Sequence, residues 1–258
     1  MIENADTVLG FGVQIWWHWF AVFLRVTGVV SFLPAFGEQS VPVRVRLAVA
    51  VALSIIVAPV IDVSANDFAT LSSAVPRIVA ELLNGLVLGL GLRMIVMALQ
   101  TAGAIAAQAT SLSQLLGNAG VEPIPALGQV LFIAGLALVV TTGLHVRAAL
   151  FVVDSYHLFP AGKFPVASIL GQWGTQQVAH AFSLAFQLAA PFVIASVLYN
   201  LTLGVINRAM PQLMVAFVGA PVITAGGLLL LMLASPIILS LWLEALQAFL
   251  SDPYGPRH

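Results

Sequence analysis

The sequence predicts an all-α integral membrane protein, formed as a single membrane domain (1–258) of about six long, partly broken hydrophobic helices. Composition is the first observation behind this prediction, since 60% of the 258 residues are hydrophobic and only 7% are charged. A soluble chain of this length would carry about a quarter charged residues. The second observation is that several apolar stretches are long enough to cross the roughly 30 Å hydrocarbon core of a bilayer.

Charge and cysteine content exclude several classes of function. The net charge is −1, with no basic block, which argues against a nucleic-acid partner. The chain has no cysteine, so disulfides, thiolate catalysis and cysteine metal sites are excluded. The motifs GxSxG and HExxH are missing, so we do not expect an enzyme, and nothing predicts a cofactor or metal. Glu3 and Asp6 stand where a signal peptide would be basic, so we expect the N-terminus to be retained.

Three apolar spans are predicted in the first half, at about 11–33, 43–61 and 76–109. Tryptophans open the first span, as is typical of the membrane–water interface. The polar stretch 62–77 is predicted to be an exposed loop. The third span would measure roughly 50 Å as one helix, so it is either broken or extends beyond the bilayer. Glu3 and Asp6 before the first span, with Arg44 and Arg46 opening the second, favour an external N-terminus.

The second half contains three more predicted spans, at 124–153, 178–206 and 213–246. A connector beginning at Asp154 follows the fourth span, and kinks are expected in the last span near Gly219–Pro221 and at Pro236. The polar tail from residue 251 is expected to be disordered. Asp154 and His157 lie three residues apart and could form a metal or acid–base pair on a helix. The alternative is that both are simply interfacial polar residues.

One face of the fifth span carries small and polar residues, whereas the residues around that face are aliphatic. This polar stripe consists of Ser196, Asn200, Gly204 and Asn207, and Arg208 follows it directly. Spacings of about four residues place the stripe on one side of a helix. In lipid, such a face is where another helix docks through close backbone approach and hydrogen bonds.

Arg25 and Arg93 lie inside apolar spans, where an ionisable residue is costly and normally has a partner. Arg93 follows Glu81, Gly85 and Gly89 at intervals of four, and the two glycines form a GxxxG packing pair. We hypothesise that Arg25 and Arg93 hold contacts between helices or between subunits. The alternative is a role in transport.

Four segments of the chain resemble the FliR family of export-gate proteins from flagellar and virulence type III secretion systems. They are LRVTGVVSFLPAFGEQSVPVRVRLAVAVALSIIVAP, GLVLGLGLRMIVMALQTAGAIAAQ, SYHLFPAG and APFVIASVLYNLTLGVINRAMPQLMVAFVGAP, in the family's order and spacing. The resemblance implies a multi-pass protein of the bacterial inner membrane, located in the flagellar basal body. It implies partnership with FliP, FliQ and an FlhB-type export switch protein, with lipid, and with unfolded export substrates that pass through a shared channel. It also implies a FliP-like front part (1–155) and a FliQ-like back part (156–258).

The segment 110–128 is rich in glycine and proline and does not continue a helix. The resemblance implies that it is the family's pore loop, which helps to plug the closed channel. The residues that we assign to this plug are Ser111, Leu112, Gln114, Leu115, Leu116, Gly117, Glu122 and Pro123. Relatives often carry phenylalanine and Asp-Pro here, whereas this loop is aliphatic, which predicts a hydrophobic seal. The alternative is a linker that only packs.

Three other functions remain open at this point. The same motifs serve an injectisome export gate as well as a flagellar one. A small-solute transporter would also have broken helices and intramembrane arginines, although it should show internal repeats, and no convincing repeat is visible. A membrane scaffold or assembly chaperone would not need a plug-like loop.

Overall fold

The computed structural model describes residues 2–61, 71–110, 126–210 and 215–255, and the regular secondary structure in these ranges is entirely helical. This confirms the all-α class. The helices are α1 (Ile2–Val30), α2 (Val43–Val57), α3 (Leu71–Thr110), α4 (Ala126–Thr141), α5 (Leu144–Leu158), α6 (Ala167–Ala209) and α7 (Val215–Ser251), with a 3₁₀ turn at Ala58–Val60. Within the described residues, four helices are long and apolar enough to cross a membrane, or five if α4 and α5 form one span.

The third span is a single unbroken helix. α3 has 40 residues and therefore measures about 60 Å, so it extends beyond a bilayer's hydrocarbon core. It begins at Leu71, which means that the prediction of a loop is wrong for 71–77, while 62–70 lie outside the described residues. Within this stretch Ala74 is buried, and it packs in a cluster with Ala21 of α1. This packing favours a helix over an exposed loop.

The fourth span is two helices rather than one. α4 and α5 meet at an angle of 74°, and Gly143 between them has φ +81°. A left-handed backbone of this kind is readily adopted only by glycine. The predicted connector from Asp154 is also wrong at its start, because 154–158 still belong to α5.

The helix assignment of α7 continues through Gly219, Pro221 and Pro236, and the expected kinks at these residues stay a prediction. Beyond α7, the expectation of a disordered tail is wrong for 252–255. The Tyr254 ring stacks on Trp173 with 5.3 Å between centroids, and the Trp173 indole N–H donates to the Pro253 carbonyl at 2.8 Å. Residues 256–258 lie outside the described residues.

The chain forms two compact units that are interleaved along the sequence. The first contains 1–94, 139–177 and 248–258, and the second contains 95–138 and 178–247. The first unit is centred on buried residues of α1, α3, α5 and α7, including Val26, Leu88, Phe151 and Phe249. In the second unit, Trp242 of α7 is fully buried, and its indole N–H donates to the Ile95 carbonyl of α3 at 2.9 Å.

Candidate functional site

The core of the first unit contains a buried ion pair. Arg25 of α1 and Glu81 of α3 are 0% and 1% exposed. The Arg25 Nε donates to Glu81 Oε2 at 2.8 Å, and Arg25 Nη2 donates to Glu81 Oε1 at 3.1 Å. This bidentate geometry is the strongest arrangement of guanidinium and carboxylate. It joins α1 to α3 within the core of the first unit.

The end of α5 and the residues after it complete the network. Arg25 Nη1 donates to the Phe159 carbonyl at 2.9 Å and to Ser155 Oγ at 3.3 Å. The guanidinium carbon lies 3.6 Å from the centroid of the Tyr156 ring, a cation–π contact. The Tyr156 hydroxyl donates in turn to Glu81 Oε2 at 3.3 Å. Both charged groups therefore meet several polar partners, as a buried pair requires.

The α5–α6 connector (159–166) is fastened to α3 by two side chains one turn apart. Glu81 Oε1 accepts a hydrogen bond from the Gly162 amide at 2.7 Å. Asn84 Nδ2 donates to the Lys163 carbonyl at 3.0 Å. Gly162 has φ +70°, and this left-handed backbone accounts for a glycine here. The network thus positions a loop as well as three helices.

Close packing of α1 on α3 accompanies the ion pair. A Cβ on Gly85 would collide with the Arg25 carbonyl oxygen, and one on Gly89 would lie 2.8 Å from the Gly28 carbonyl oxygen. A Cβ on Gly28 would lie 2.6 Å from the Gly85 carbonyl carbon. The two backbones therefore touch along the GxxxG pair, and Gly28 is the complementary residue on α1.

Arg93 has a different partner. Its Nη1 donates to Glu38 Oε1 at 3.0 Å, and the two side chains are 27% and 11% exposed. Arg46 donates to the carbonyls of Glu38 and Val41 at 3.1 and 3.0 Å. The two arginines together hold the loop between α1 and α2 in place. Whether Arg25 and Arg93 serve assembly rather than transport stays a prediction.

The polar stripe on α6 faces outward. Asn200, Gly204, Asn207 and Arg208 are exposed, and Ser196 is half-buried. A Cβ on Gly204 would meet no heavy atom within 4 Å, so none of the described helices packs on the stripe at that point. One side-chain hydrogen bond lies within the stripe, from Asn200 Nδ2 to Ser196 Oγ at 3.3 Å. Docking of another helix on the stripe stays a prediction.

All eight residues assigned to the plug lie in 111–125, outside the described residues. The helices on either side of this segment are described, and they touch within the second unit. A Cβ on Gly103 of α3 would lie 2.6 Å from the Gly128 Cα of α4. The segment therefore connects two helices whose backbones are in contact close to its ends.

The sequence predicts that Arg25 has a partner but does not identify it. Its spacing predicts that Glu81 lies on the Arg93 face, and the two polar residues that it singles out near the end of the fourth span, Asp154 and His157, are both exposed. Their neighbours Ser155 and Tyr156 make the buried contacts. In the described part of the chain, no three His, Cys, Asp or Glu side chains group as metal ligands. The available signal was that Arg25 and Glu81 are opposite charges in separate apolar spans, where such charges usually pair.

Long apolar helices around a buried ion pair define this chain as a multi-pass helical membrane protein. Residues 16–249 match the family described as Bacterial export proteins, family 1, and the chain belongs to that family. It is 34% identical to the flagellar biosynthetic protein FliR of Caulobacter vibrioides over 89% of this chain and 92% of the relative. It is 30% identical to the flagellar biosynthetic protein FliR of Escherichia coli over 86% of this chain and 87% of the relative. Identity to FliR of Aquifex aeolicus is 29% over 84% of each.

Proposed function

We propose that this chain is the FliR-type subunit of a flagellar type III export gate. In this proposal it forms a channel with FliP and FliQ through which unfolded flagellar proteins cross the bacterial inner membrane. The observation that carries the proposal is the family match over residues 16–249 together with FliR relatives aligned along nearly their whole length. An FlhB-type switch protein is a further proposed partner, and the proposed role is not enzymatic.

The exposed surface of α6 and α7 supports a multi-subunit assembly. About a third of the α6 span is buried within this chain, against more than half of the α3 span. The exposed face of α6 includes Asn200, Asn207 and Arg208 among apolar residues such as Leu201 and Val205. Charged and amide groups facing lipid are costly, so a neighbouring protein subunit is the better partner for this face.

The internal pairing of charges supports a structural role over solute transport. A transporter needs polar groups that converge on a substrate near the midplane. Arg25 and Glu81 instead bind each other and the neighbouring Ser155, Tyr156 and Gly162. The sequence motifs are also compatible with a virulence export gate, and the FliR relatives are what favour the flagellar assignment.

Within this proposal the chain combines a FliP-like part, 1–155, with a FliQ-like part, 156–258. Each of the two compact units draws on both parts, because the first unit contains 139–177 and the second contains 178–247 as well as 95–138. The two proposed parts would therefore have become one folding entity. Such a fusion would let one copy end a spiral of FliP and FliQ subunits.

Co-expression with FliP and FliQ from the same organism tests the proposal. After purification in mild detergent, native mass spectrometry should show a discrete hetero-oligomer that contains one copy of this chain. Recovery of this chain alone or as a homodimer, without FliP or FliQ, would contradict the export-gate assignment and favour a transporter. Substituting virulence-type partners for the flagellar ones in a parallel preparation distinguishes the two branches.

A further inference from the structure

An apolar hollow with a cationic rim lies beside the α5–α6 connector. Its volume is about 300 Å³, at the lower end of the roughly 300–1,000 Å³ typical of ligand pockets. The residues that define it here are Phe159, Lys163, Phe164, Val166, Ile169 and Tyr254, and all belong to the first compact unit. Phe164, Val166 and Ile169 are each more than half exposed. The hollow is therefore open on an apolar surface.

The position of the hollow corresponds to the end of several membrane spans. The bent span of α4 and α5 ends at Leu158, the α6 span begins at Ala167 and the α7 span ends at Ser251. The connector that lines the hollow is also tied to α3, by the hydrogen bond from Asn84 to the Lys163 carbonyl. Span ends lie at the depth of lipid head groups.

Two polar groups are available at this depth. Lys163 is exposed and lines the hollow, and its backbone is held by Asn84. The Tyr254 hydroxyl is buried and has no hydrogen-bond partner among the described residues. Burial raises the pKa of the Tyr254 phenol to about 12, so the group remains a hydrogen-bond donor at neutral pH. A buried polar group without a partner is unusual, and a ligand oxygen would satisfy it.

We infer that this hollow binds one anionic phospholipid, with its phosphate on Lys163 and its acyl chain over Phe164, Val166 and Ile169. Charge complementarity selects the head group, because a lysine beside apolar surface at a span end attracts anionic lipid. The Tyr254 hydroxyl donates to an oxygen of the glycerol-ester region. This inference concerns the membrane protein itself and does not depend on the proposed export function.

Native mass spectrometry of the full-length protein, titrated with phosphatidylglycerol or phosphatidylcholine of the same acyl chains, tests the site. The wild-type protein should bind one phosphatidylglycerol in preference to phosphatidylcholine. Lys163→Gln should weaken phosphatidylglycerol binding about fivefold, the equivalent of one lysine near a membrane surface, and leave phosphatidylcholine unchanged. Val166→Trp should fill the hollow and weaken the binding of both lipids.

Arg44→Gln is the matched control, since it removes one exposed cation at the start of α2. It should bind phosphatidylglycerol as the wild type does, and an equal loss would mean diffuse attraction rather than a site. Unchanged binding by Lys163→Gln would overturn the inference, as would competition by inorganic phosphate at millimolar concentration. A photoreactive residue at position 164 can be cross-linked in the complex isolated from cells. Cross-linking to a partner subunit instead of lipid would show that the hollow is a protein contact and would overturn the inference.

Discussion

At the scale of single residues, one ion pair decides where three helices meet. Neither Arg25 nor Glu81 could be buried alone at an acceptable free energy. Together they satisfy each other, and the Phe159 carbonyl, the Tyr156 hydroxyl and the Gly162 amide occupy further hydrogen-bonding positions. Replacing a buried pair by apolar residues is often neutral in free energy, so the pair mainly specifies geometry.

Arg25→Leu is expected to destabilise the purified protein by about 3–5 kcal/mol, because Glu81 would remain buried without its cation. Unfolding in a denaturing detergent, followed by circular dichroism, measures the loss. The double variant Arg25→Leu, Glu81→Leu should recover most of the free energy of unfolding, since it leaves no unpaired charge. Arg93→Leu is the matched contrast, and it should cost less than Arg25→Leu because the Arg93 side chain is 27% exposed and water can reach its pair.

The same variants distinguish a packing role of Arg25 from a role in transport. If Arg25→Leu assembled normally with FliP and FliQ on native gels, yet no longer supported export, the arginine would have a transport role and the packing hypothesis would be wrong. Loss of assembly and stability together would support packing.

At the scale of helices, glycine determines how closely α1 approaches α3. Gly28, Gly85 and Gly89 bring the two backbones into contact, and this approach allows the short side-chain distances of the Arg25–Glu81 pair. Small residues at helix contacts are the usual means of association in membranes, where lipid provides no hydrophobic drive. The glycine contact and the ion pair are thus parts of one interface.

Gly85→Leu is expected to destabilise the protein by about 3 kcal/mol or more. The new side chain would meet the backbone of Arg25, which cannot move aside as a flexible side chain would. The measurement is the same detergent unfolding. Gly174→Leu on α6 is the control, since a Cβ there meets nothing within 4 Å, and an equal loss in both variants would contradict the steric explanation.

The segment between α3 and α4 is the element to which the plug is assigned. Deleting 114–120 should make the assembled gate leaky to ions, because the proposed hydrophobic seal would be lost. Ion flux into cells or liposomes that contain the complex measures this. Replacing the same residues by a glycine–serine stretch of equal length controls for loop shortening and should also leak. Unchanged ion permeability in the deletion would rule out the plug assignment.

At the scale of the whole molecule, the chain leaves much of its apolar helical surface uncovered. Exposed residues such as Ile194, Leu201, Met232 and Ile237 run along α6 and α7. Lipid can cover aliphatic side chains, but the polar stripe and Arg208 on α6 call for a protein partner. We therefore expect variants of this face to affect assembly without affecting the isolated chain.

Gly204→Leu should leave the unfolding of the isolated chain unchanged, because nothing described lies within 4 Å of its added Cβ. The same variant should reduce recovery of the complex with FliP and FliQ by about tenfold or more, since close helix approach at a small residue is lost. Quantitative native mass spectrometry of co-expressed subunits measures the recovery. Gly174→Leu should alter neither quantity, and full recovery of complex by Gly204→Leu would show that the stripe is not an interface.

Periodicity and composition predicted most of the helices but not the site. The 40-residue α3 was visible as an overlong apolar stretch, because its hydrophobicity is local information. The 74° bend at Gly143 was missed, since one glycine between apolar runs is equally compatible with a straight helix. The expectation of a disordered tail also failed for Tyr254, whose ring contacts Trp173 and Phe159 at positions far away in the chain.

The sequence by itself determined that this protein is helical and membrane-embedded, because apolar content and spacing act over single helices. It also determined the family, because four segments of the chain resemble the family in the same order and spacing. Only the tertiary structure decided that Arg25 pairs with Glu81 rather than facing a pore, and that Ser155 and Tyr156, not Asp154 and His157, are the α5 side chains that contact this ion pair. The physical reason is that a buried charge has many potential partners along the chain, and only packing in space selects the ones within hydrogen-bonding distance.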